Sequence, residues 1–330
     1  MTNQYSYGGQ ALIEGVMMRG QREMAVAVRN PAGEILLWSA PVTSSWLGRR
    51  VRPWPCVRGA FLLWDTMCLG VRALTFSAAI GTPPVERRSA RARSAEGGLL
   101  DRAPAWVLVA LAVSCALVLF FALPLAVVAA LDSHIESSIE SNALEGAIRL
   151  AVLIGYVLAI GHLPEVQRVF AYHGAEHKAI HAYEAGDPLD VAHVRRHPLA
   201  HPRCGTGFLL TVIVLSTAAC ILLGRPDMPE RIVSRLVLAP IVAGLAYELL
   251  KLAARRPDHP LARVVLAPGL WLQKLTTRDP DDEMIEVAIA ALVPVLEADG
   301  HAANAPAVSS PVRQVDATGR ALIPASTAAS

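Results

Sequence analysis

The chain has 330 residues, of which 53% are apolar and 18% are charged. Soluble domains average about 45–50% apolar and about 25% charged residues, so this composition argues against an ordinary soluble enzyme. The formal net charge of +2 is too small to indicate a protein that binds nucleic acid.

The first 55 residues predict a small β-rich unit. Two apolar runs, AVAVR and ILLWSAPV, flank a turn sequence at 30–33, and this pattern favours a β-hairpin. Ahead of them, glycines border an apolar run that holds Glu14 and Arg19. Because glycine permits positive φ and close backbone approach, this run forms either a cap over a functional site or a pair of tight β-turns.

Residues 56–80 are apolar but carry Arg58, Asp65 and Arg72 at a spacing of seven. On a helix these charges share one face, so the segment predicts an amphipathic helix that lies on the membrane surface or against a helical bundle. The polar, arginine-rich residues 81–104 predict a linker.

The chain after this linker contains four apolar runs that predict membrane-spanning helices. The first, at 106–131, has 26 residues without a charge, and about 20 are enough to cross the hydrocarbon core. Shorter runs follow at 147–163, 207–223 and 232–253. Short apolar runs also occur as buried helices of soluble proteins, but together with the long uncharged run they favour membrane spans.

Charged residues predict the orientation of these spans. Arginines crowd the segment before the first span, and the segment 164–206 is also basic, whereas 132–146 holds acids and no lysine or arginine. Basic segments stay on the cytoplasmic side of a membrane, so both termini and the segment 164–206 are expected in the cytoplasm.

The segment between the second and third predicted spans is the richest in reactive side chains. Two histidines at i and i+4 of a helix can bind one metal ion, and the string H-x-x-E-H matches a zinc-protease pattern in which the glutamate activates water as general base. The residues therefore predict a site for a divalent metal, with zinc as the first expectation. The alternative is a polar helix whose histidines face water or lipid headgroups. The helical stripe consists of His173, His177, His181 and Glu184, with the candidate base Glu176 at its flank.

A zinc site needs a third protein ligand, and the segment that enters the third span offers His201 and Cys204. Cys204 also follows Arg203, so a nucleophilic thiolate with a lowered pKa is a second interpretation. An inert cysteine in a turn-rich loop is a third.

Glu248 is another candidate ligand. It lies near the cytoplasmic end of the fourth predicted span, and acids within spans are rare and functional by default. The alternative is a pair with Lys251 at i+3, in which both side chains reach toward the headgroups.

Six motifs follow one another in an order that resembles the YqhQ family of bacterial membrane proteins. They are GGQALIEGVMMRG, RGAFLLWDTMCLGVRALTFSA, FAYHGAEHKAIHAYEAG, HPRCGTGFLL, AYELLKL and PGLWLQKLTTRDPDD, and the similarity runs from about residue 8 to about residue 296. The resemblance implies a multi-pass protein of a bacterial inner membrane, in a family of unknown function that is often labelled a predicted metal-dependent enzyme. Many relatives have asparagine at the position of His181, which weakens that residue as an obligatory ligand. The polar positions that match are His173, Glu176, His177, His201, Cys204 and Glu248.

The sequence as a whole predicts a mainly α-helical polytopic membrane protein with about four transmembrane helices, a small N-terminal β-rich cytoplasmic unit and amphipathic interfacial helices. The expected units are a β-rich unit (1–55), an amphipathic helix (56–80), a linker (81–104), a four-span domain (105–256) with a His-rich helix (165–185), C-terminal cytoplasmic helices (257–299) and a disordered tail (300–330).

Three functions fit these predictions. The first is a metal-dependent hydrolase with a cytoplasm-facing site that acts on a peptide or a lipid-linked group. The second is a non-catalytic scaffold or assembly factor for a membrane complex. The third is a transporter, against which the small number of polar groups within the predicted spans counts. The expected partners are the lipid bilayer and an unknown membrane protein or lipid-linked molecule.

Overall fold

The computed structural model describes residues 7–42, 54, 57–81, 105–131, 134–301 and 308–322. Except for its first position, the predicted linker at 81–104 lies outside the described residues. Within them, the chain forms a five-stranded sheet, four helices of membrane-spanning length and several further helices.

The strands of the sheet follow one another in chain order. The first four pair antiparallel, and the fifth pairs parallel to the fourth. The predicted hairpin turn is present, because the Asn30 side chain accepts hydrogen bonds from the amides of Ala32 and Glu34. The strands are β1 (Gly8–Leu12), β2 (Gly15–Arg19), β3 (Glu23–Arg29), β4 (Ile35–Pro41) and β5 (Val312–Gln314).

The helices differ widely in length and in apolar character. Helix α2 is continuous but contains a π-helical turn at Val118–Ala122, between the α-helical parts Ala105–Leu117 and Leu123–Leu131. The other helices are α1 (Val57–Gly81), α3 (Ser138–Ile160), α4 (Pro164–Ala185), α5 (Val191–Val194), α6 (Thr206–Leu223), α7 (Met228–Arg255), α8 (Pro260–Thr276) and α9 (Asp282–Ala298).

Four helices, α2, α3, α6 and α7, are long and apolar enough to cross a membrane. They coincide with the four predicted spans, so the prediction of a mainly helical membrane protein with a small N-terminal sheet is confirmed. Apolar side chains point outward from these helices; Leu222 is 88% exposed and Leu236 is 63% exposed. Such surfaces fit a lipid environment, in which hydrocarbon replaces water around the helices.

The second span begins earlier than the sequence predicts. Helix α3 starts at Ser138 rather than at residue 147, so most of the acidic segment is helical. Glu145, in this segment, is 2% exposed and pairs with Arg149 at 2.8 Å and with Arg235 at 3.0 Å. The hydropathy pattern could not include these residues in a span, because the second arginine comes from α7, 90 residues later.

This ion pair belongs to a buried polar network that joins three spans. The Asn142 side-chain oxygen accepts a hydrogen bond from Arg235 at 2.7 Å. Arg149 donates to the carbonyl of Phe120 at 3.0 Å, within the π-helical turn of α2. A π turn shifts the helical hydrogen-bond pattern, which leaves room for such a contact. The spans therefore contain more buried charge than the sequence predicts.

The sheet is the middle one of three layers. One face packs on α4 and α9, where Val16, Ile180 and Ile289 are buried together. The other face packs on α1, where Val26 contacts the cluster that contains Phe76. The strands thus bury their apolar side chains only together with helices from distant parts of the chain.

Helix α1 connects this layered region to the bundle. Its first turns pack on α7, where the Cα of Gly244 lies only 3.0 Å from the ideal position of a Cβ on Gly59. Its last turns pack on the sheet. Between them, Trp64, Met67 and Leu74 expose their apolar side chains. This surface fits the predicted amphipathic helix at a membrane.

Residues 308–322 differ from the predicted disordered tail. In addition to the β4–β5 pairing, the Ile35 amide donates to the Pro311 carbonyl and the Val315 amide donates to the Leu37 carbonyl. Val315 is buried against the sheet. The Ala-, Ser- and Pro-rich composition concealed this strand, because its pairing partner lies near the opposite end of the chain.

Replacement of Glu145 by glutamine is expected to destabilise the bundle. Two buried guanidinium groups would lose their shared carboxylate, and breaking a buried ion pair typically costs about 3–5 kcal/mol. The measurement is the thermal unfolding temperature of the detergent-solubilised protein. Glu140→Gln, at an exposed position of the same helix, is the matched control and is expected to unfold like the wild type. Equal unfolding temperatures for both variants would contradict the prediction.

Candidate metal centre

Helix α4 carries the predicted histidine stripe. It follows the membrane-length helix α3 after a short turn and ends at Gly186, which adopts φ +78° as the C-cap. One face of α4 packs on the sheet, as described above. The other face meets the loop before α6 and the last turn of α8, at the end of the bundle where α3 and α7 finish and α6 begins. We call this end the sheet end.

Three of the predicted ligands come together there. One ligand atom each from His173, His177 and Cys204 lies within 4.8 Å of the other two. The Nε2 atom of His173 is 3.2 Å from the Cys204 sulfur. His177 and Cys204 are 27 residues apart in sequence, and only the return of the loop before α6 brings them together.

The two imidazoles are held by backbone carbonyls. Nδ1 of His173 lies 2.9 Å from the carbonyl oxygen of Thr276, and Nδ1 of His177 lies 2.5 Å from that of Leu199. A carbonyl can only accept a hydrogen bond, so both Nδ1 atoms carry the proton in the neutral rings. The lone pairs are therefore on the Nε2 atoms, next to the Cys204 sulfur.

His177 has a buried ring nitrogen that faces the cluster. Its Nε2 atom is buried and has no hydrogen-bond partner of good geometry among the described residues. Burial lowers the pKa of His177, which keeps the ring neutral. Two imidazoles with outer-shell carbonyl partners and one thiol sulfur are a donor set that suits zinc. The residues present therefore fit a metal ion.

Glu176, the predicted base, lies beside these ligands in the same helix. It is 5% exposed, and its Oε2 atom has no hydrogen-bond partner among the described residues. Burial raises the pKa of this carboxyl, while His173, His201 and the amide of Gly9 act in the opposite direction. The side chain thus lines the cavity beside the histidines, with one carboxyl oxygen that has no hydrogen-bond partner among the described residues.

Strand β1 covers this carboxyl closely. A Cβ on Gly9 would lie 3.0 Å from the Glu176 carboxyl carbon and 2.3 Å from the carbonyl oxygen of Met17. Only glycine fits at this position without a shift of the backbone. The sequence analysis did not identify Gly9 as a site residue. The Gly8-Gly9 pair was the one pattern that could have indicated a close backbone approach there.

A second group of predicted residues lies next to the first. One ligand atom each from His181, Glu184 and His201 lies within 4.8 Å of the other two. Nε2 of His201 is 3.4 Å from Glu184, and the Arg203 amide donates to Nδ1 of His201 at 3.3 Å. The proton of His201 is thus on Nε2, and the Arg203 guanidinium pairs with Glu184. This arrangement is a hydrogen-bonded chain beside a cation, which suits a metal less well than the first group does.

Gln273 also belongs to the site, although no pattern in the sequence indicated it. The side-chain amide of Gln273 bonds to both the backbone nitrogen and the backbone oxygen of His201, at 2.7 and 2.9 Å. It therefore fixes the loop before α6 on α8. A buried glutamine in an amphipathic helix shows no pattern that would distinguish it from a surface one.

The structure does not bring Glu248 to the histidines. Its two carboxylate oxygens accept hydrogen bonds from Arg58 at 2.6 and 2.5 Å, at the contact between α1 and α7. Arg58 precedes Glu248 by 190 residues, so the sequence offered only Lys251 as a partner. The Lys251 ammonium lies 5.5 Å from the ring centroid of Tyr247.

Glu14 and Arg19, the two remaining candidates, contact different helices. Glu14 adopts φ +52° in the turn between β1 and β2, and both its oxygens lie 2.6 Å from the guanidinium of Arg168 on α4. This contact fastens the β1–β2 hairpin to α4. Arg19 donates instead to Thr66 on α1, at 2.9 Å, away from the histidines.

A cavity of about 370 Å³ opens beside the ligands. Its polar side consists of His173, Glu176, His177, His201 and Cys204. The apolar part of its lining includes residues from the last turns of α3 and from the α4 turn before His173, namely Val157, Ile160, Val169 and Phe170.

These features define a membrane protein with four membrane-length helices and a buried histidine, cysteine and glutamate cluster at one end of its bundle. The family model described as "Protein of unknown function (DUF1385)" matches residues 54–298, and the chain belongs to this family. The chain is also 32% identical over 286 residues to the Bacillus subtilis (strain 168) protein described as "Uncharacterized protein YqhQ", with 86% of this chain and 90% of that relative covered. The predicted YqhQ-family assignment is thus confirmed. No solved structure matches the chain.

Acidification is expected to destabilise the metal-free protein through its buried histidines. Burial lowers the pKa of His181 and of His201 to about 4, below the ordinary value of 6.5. Between pH 6.5 and 4 the unfolded chain binds protons that the folded protein does not, so stability is complete above pH 6.5 and falls as the pH decreases.

The measurement is the unfolding temperature of chelator-treated protein between pH 7 and pH 5. His181→Asn removes one of these groups, so its unfolding temperature is expected to depend less steeply on pH than that of the wild type. A replacement of the half-exposed His193, which pairs with Asp190 on the surface, serves as the control. Parallel pH profiles for wild type and His181→Asn would rule the explanation out.

Proposed function

We propose that this protein is a metal-dependent hydrolase of the inner membrane, with a cytoplasm-facing site that acts on a peptide or lipid-linked substrate. One observation carries the proposal: the imidazoles of His173 and His177, each held through Nδ1 by a backbone carbonyl, place ligand atoms within 4.8 Å of each other and of the Cys204 sulfur. A metal ligand requires a lone pair on the ring nitrogen that faces the metal, and a backbone carbonyl partner on the other ring nitrogen is typical of such ligands.

The proposed ligands are His173, His177 and Cys204. A zinc ion bound there would supply a Lewis acid that polarises a carbonyl group and lowers the pKa of water. Three protein ligands leave a fourth position for substrate or water, which is typical of catalytic zinc sites. Cys204 is thereby the proposed third ligand, for which the sequence offered His201, Cys204 and Glu248 as candidates.

Glu176 is the proposed general base. Its side chain lines the cavity, its Oε2 atom has no hydrogen-bond partner among the described residues, and Gly9 lies against its Oε1 atom. It would accept a proton from the attacking water and deliver that proton to the leaving group. The adjacent chain of His201, Glu184 and Arg203 orients the loop that carries Cys204.

The cytoplasmic orientation follows from charge. Described basic residues at the sheet end include Arg168, Lys178, Arg195 and Arg203, whereas the connection before α3 has none. Basic residues are retained on the cytoplasmic side, so the sheet end and the site are proposed to face the cytoplasm.

A scaffold or assembly factor is the second candidate function. The apolar surface of α1 favours it, because Trp64, Met67 and Leu74 expose a surface that a membrane or a membrane-protein partner would cover. In that case the polar cluster would be a structural hydrogen-bond network without chemistry.

Metal analysis of detergent-purified protein tests the proposed ligands. We expect about one zinc per chain in the wild type and at least a tenfold loss in affinity in His173→Ala and in His177→Ala, because each removes one of three ligands. His193→Ala, on the surface, is the control and is expected to bind zinc like the wild type. Equal, substoichiometric zinc in all proteins would overturn the metal site.

Complementation by Glu176→Gln separates the two functions. The substitution keeps the shape of the side chain but removes the base, so a hydrolase is expected to lose function at normal abundance, while metal content is retained. Gln167, exposed on the same helix, offers a control as Gln167→Glu, which should complement fully. Full complementation by Glu176→Gln would favour the scaffold.

A further inference from the structure

We infer that the substrate is an amphiphile, whose cleavable acyl group meets the polar side of the cavity while its hydrocarbon chain lies along the apolar side. This inference rests on the proposed function and narrows its substrate from peptide or lipid-linked to a lipid or lipid-linked molecule. The apolar side, here called the chain wall, consists of Val157, Ile160, Val169 and Phe170.

Half of the chain wall comes from a membrane-length helix. Val157 and Ile160 belong to the last turns of α3, one of the four membrane-length helices. On the same turns, Tyr156 is 44% exposed and Leu158 is 46% exposed, so the helix surface beside the cavity is apolar and open. A hydrocarbon chain on this surface would lie next to Val157 and Ile160, which line the cavity.

Helix α8 places the cavity at the depth of the membrane interface. Leu261, Val264 and Trp271 are exposed along one face of α8, while Leu266 and Leu272 are buried on the other. A helix with such a stripe, and with tryptophan in it, is typical of one that lies in the interface plane. The end of α8 supplies the carbonyl that holds His173 at 2.9 Å, so the ligands lie at headgroup level.

A peptide that adds to the edge of the sheet is the competing occupant. Strand β1 is the edge strand beside the cavity, and open edges bind extended peptides. Here, however, the edge packs on α4, and the amide of Gly9 contacts the carboxyl of Glu176. This engaged edge favours the amphiphile over the peptide.

The reaction balances without a further reactant. The oxygen of a water molecule bonds to the acyl carbon, and one water proton passes to the Glu176 carboxylate. The bond from the acyl carbon to its ester oxygen or amide nitrogen then breaks, and the leaving atom takes the proton from Glu176. The products are a carboxylic acid and an alcohol or amine.

Hydroxamates, which chelate zinc-site metals, can probe the two sides of the cavity separately. The full chain is loaded with cobalt(II) in lipid nanodiscs, and the affinities of acetohydroxamate, octanohydroxamate and a dipeptide hydroxamate of similar length are measured from the cobalt absorption spectrum. Each buried methylene adds about fourfold in affinity, so octanohydroxamate should bind at least tenfold more tightly than acetohydroxamate.

Partition of the long probe into the nanodisc also raises its apparent affinity, so a matched pair of variants is needed. Ile160→Asn alters the chain wall, and Ile139→Asn, at an exposed position at the other end of the same helix, is the control. We expect the octanoyl-to-acetyl affinity ratio to fall at least fivefold in Ile160→Asn only. Acetohydroxamate affinity and cobalt content should stay unchanged in both variants, which shows that each folds and binds metal.

The outcomes separate this inference from the proposed function. Cobalt binding with the same affinity ratio in all three proteins overturns the amphiphile and leaves the metal site. Tightest binding by the dipeptide hydroxamate, with no effect of Ile160→Asn, also overturns it and indicates a peptide substrate. Failure of the wild type to bind cobalt overturns the metal site, and this inference with it.

Discussion

Two imidazole rings of α4 donate their Nδ1 protons to carbonyl oxygens of separate elements, and the sheet end of the molecule depends on these contacts. Thr276 ends α8, and Leu199 lies in the loop before α6. Since the opposite face of α4 packs on the sheet, the two bonds join the bundle, the loop and the sheet through one helix. They also set the tautomers of His173 and His177. The contacts that join these elements therefore also determine that the lone pair of each ring is on Nε2.

Buried charge has a comparable role within the bundle. Apolar contact drives helix association weakly in lipid, because hydrocarbon tails are as apolar as leucine. Polar pairs then determine which helix surfaces meet. Glu145 joins α3 to α7 through Arg235, and Arg58 joins α1 to α7 through Glu248. The membrane helices and the helix that reaches the sheet are thus both located relative to α7, by ion pairs at two different levels of that helix.

Local patterns predicted those parts of the molecule whose determinants are close in sequence. Hydropathy predicted four spans, the turn at Asn30 predicted the hairpin, and helical periodicity placed His173 and His177 on one face. Partners distant in sequence determined the rest. That Cys204, and not Glu248, lies beside the two histidines depends on a loop that returns to α4 and on an arginine from α1, and neither leaves a periodic signal. Acidic residues at the start of α3 concealed its first turns for the same reason.

The three-layer region has a consequence for the order in which the protein is made. Strands β1 to β4 leave the ribosome first, yet one face of their sheet is covered by α9, and their outer edge by β5, near the end of the chain. All four membrane-length helices are synthesised in between. The N-terminal strands therefore cannot bury all of their apolar surface until α9 and β5 have been synthesised, which happens after all four membrane-length helices. Such long-range closure slows folding and leaves apolar surface of the nascent sheet prone to aggregation in the meantime.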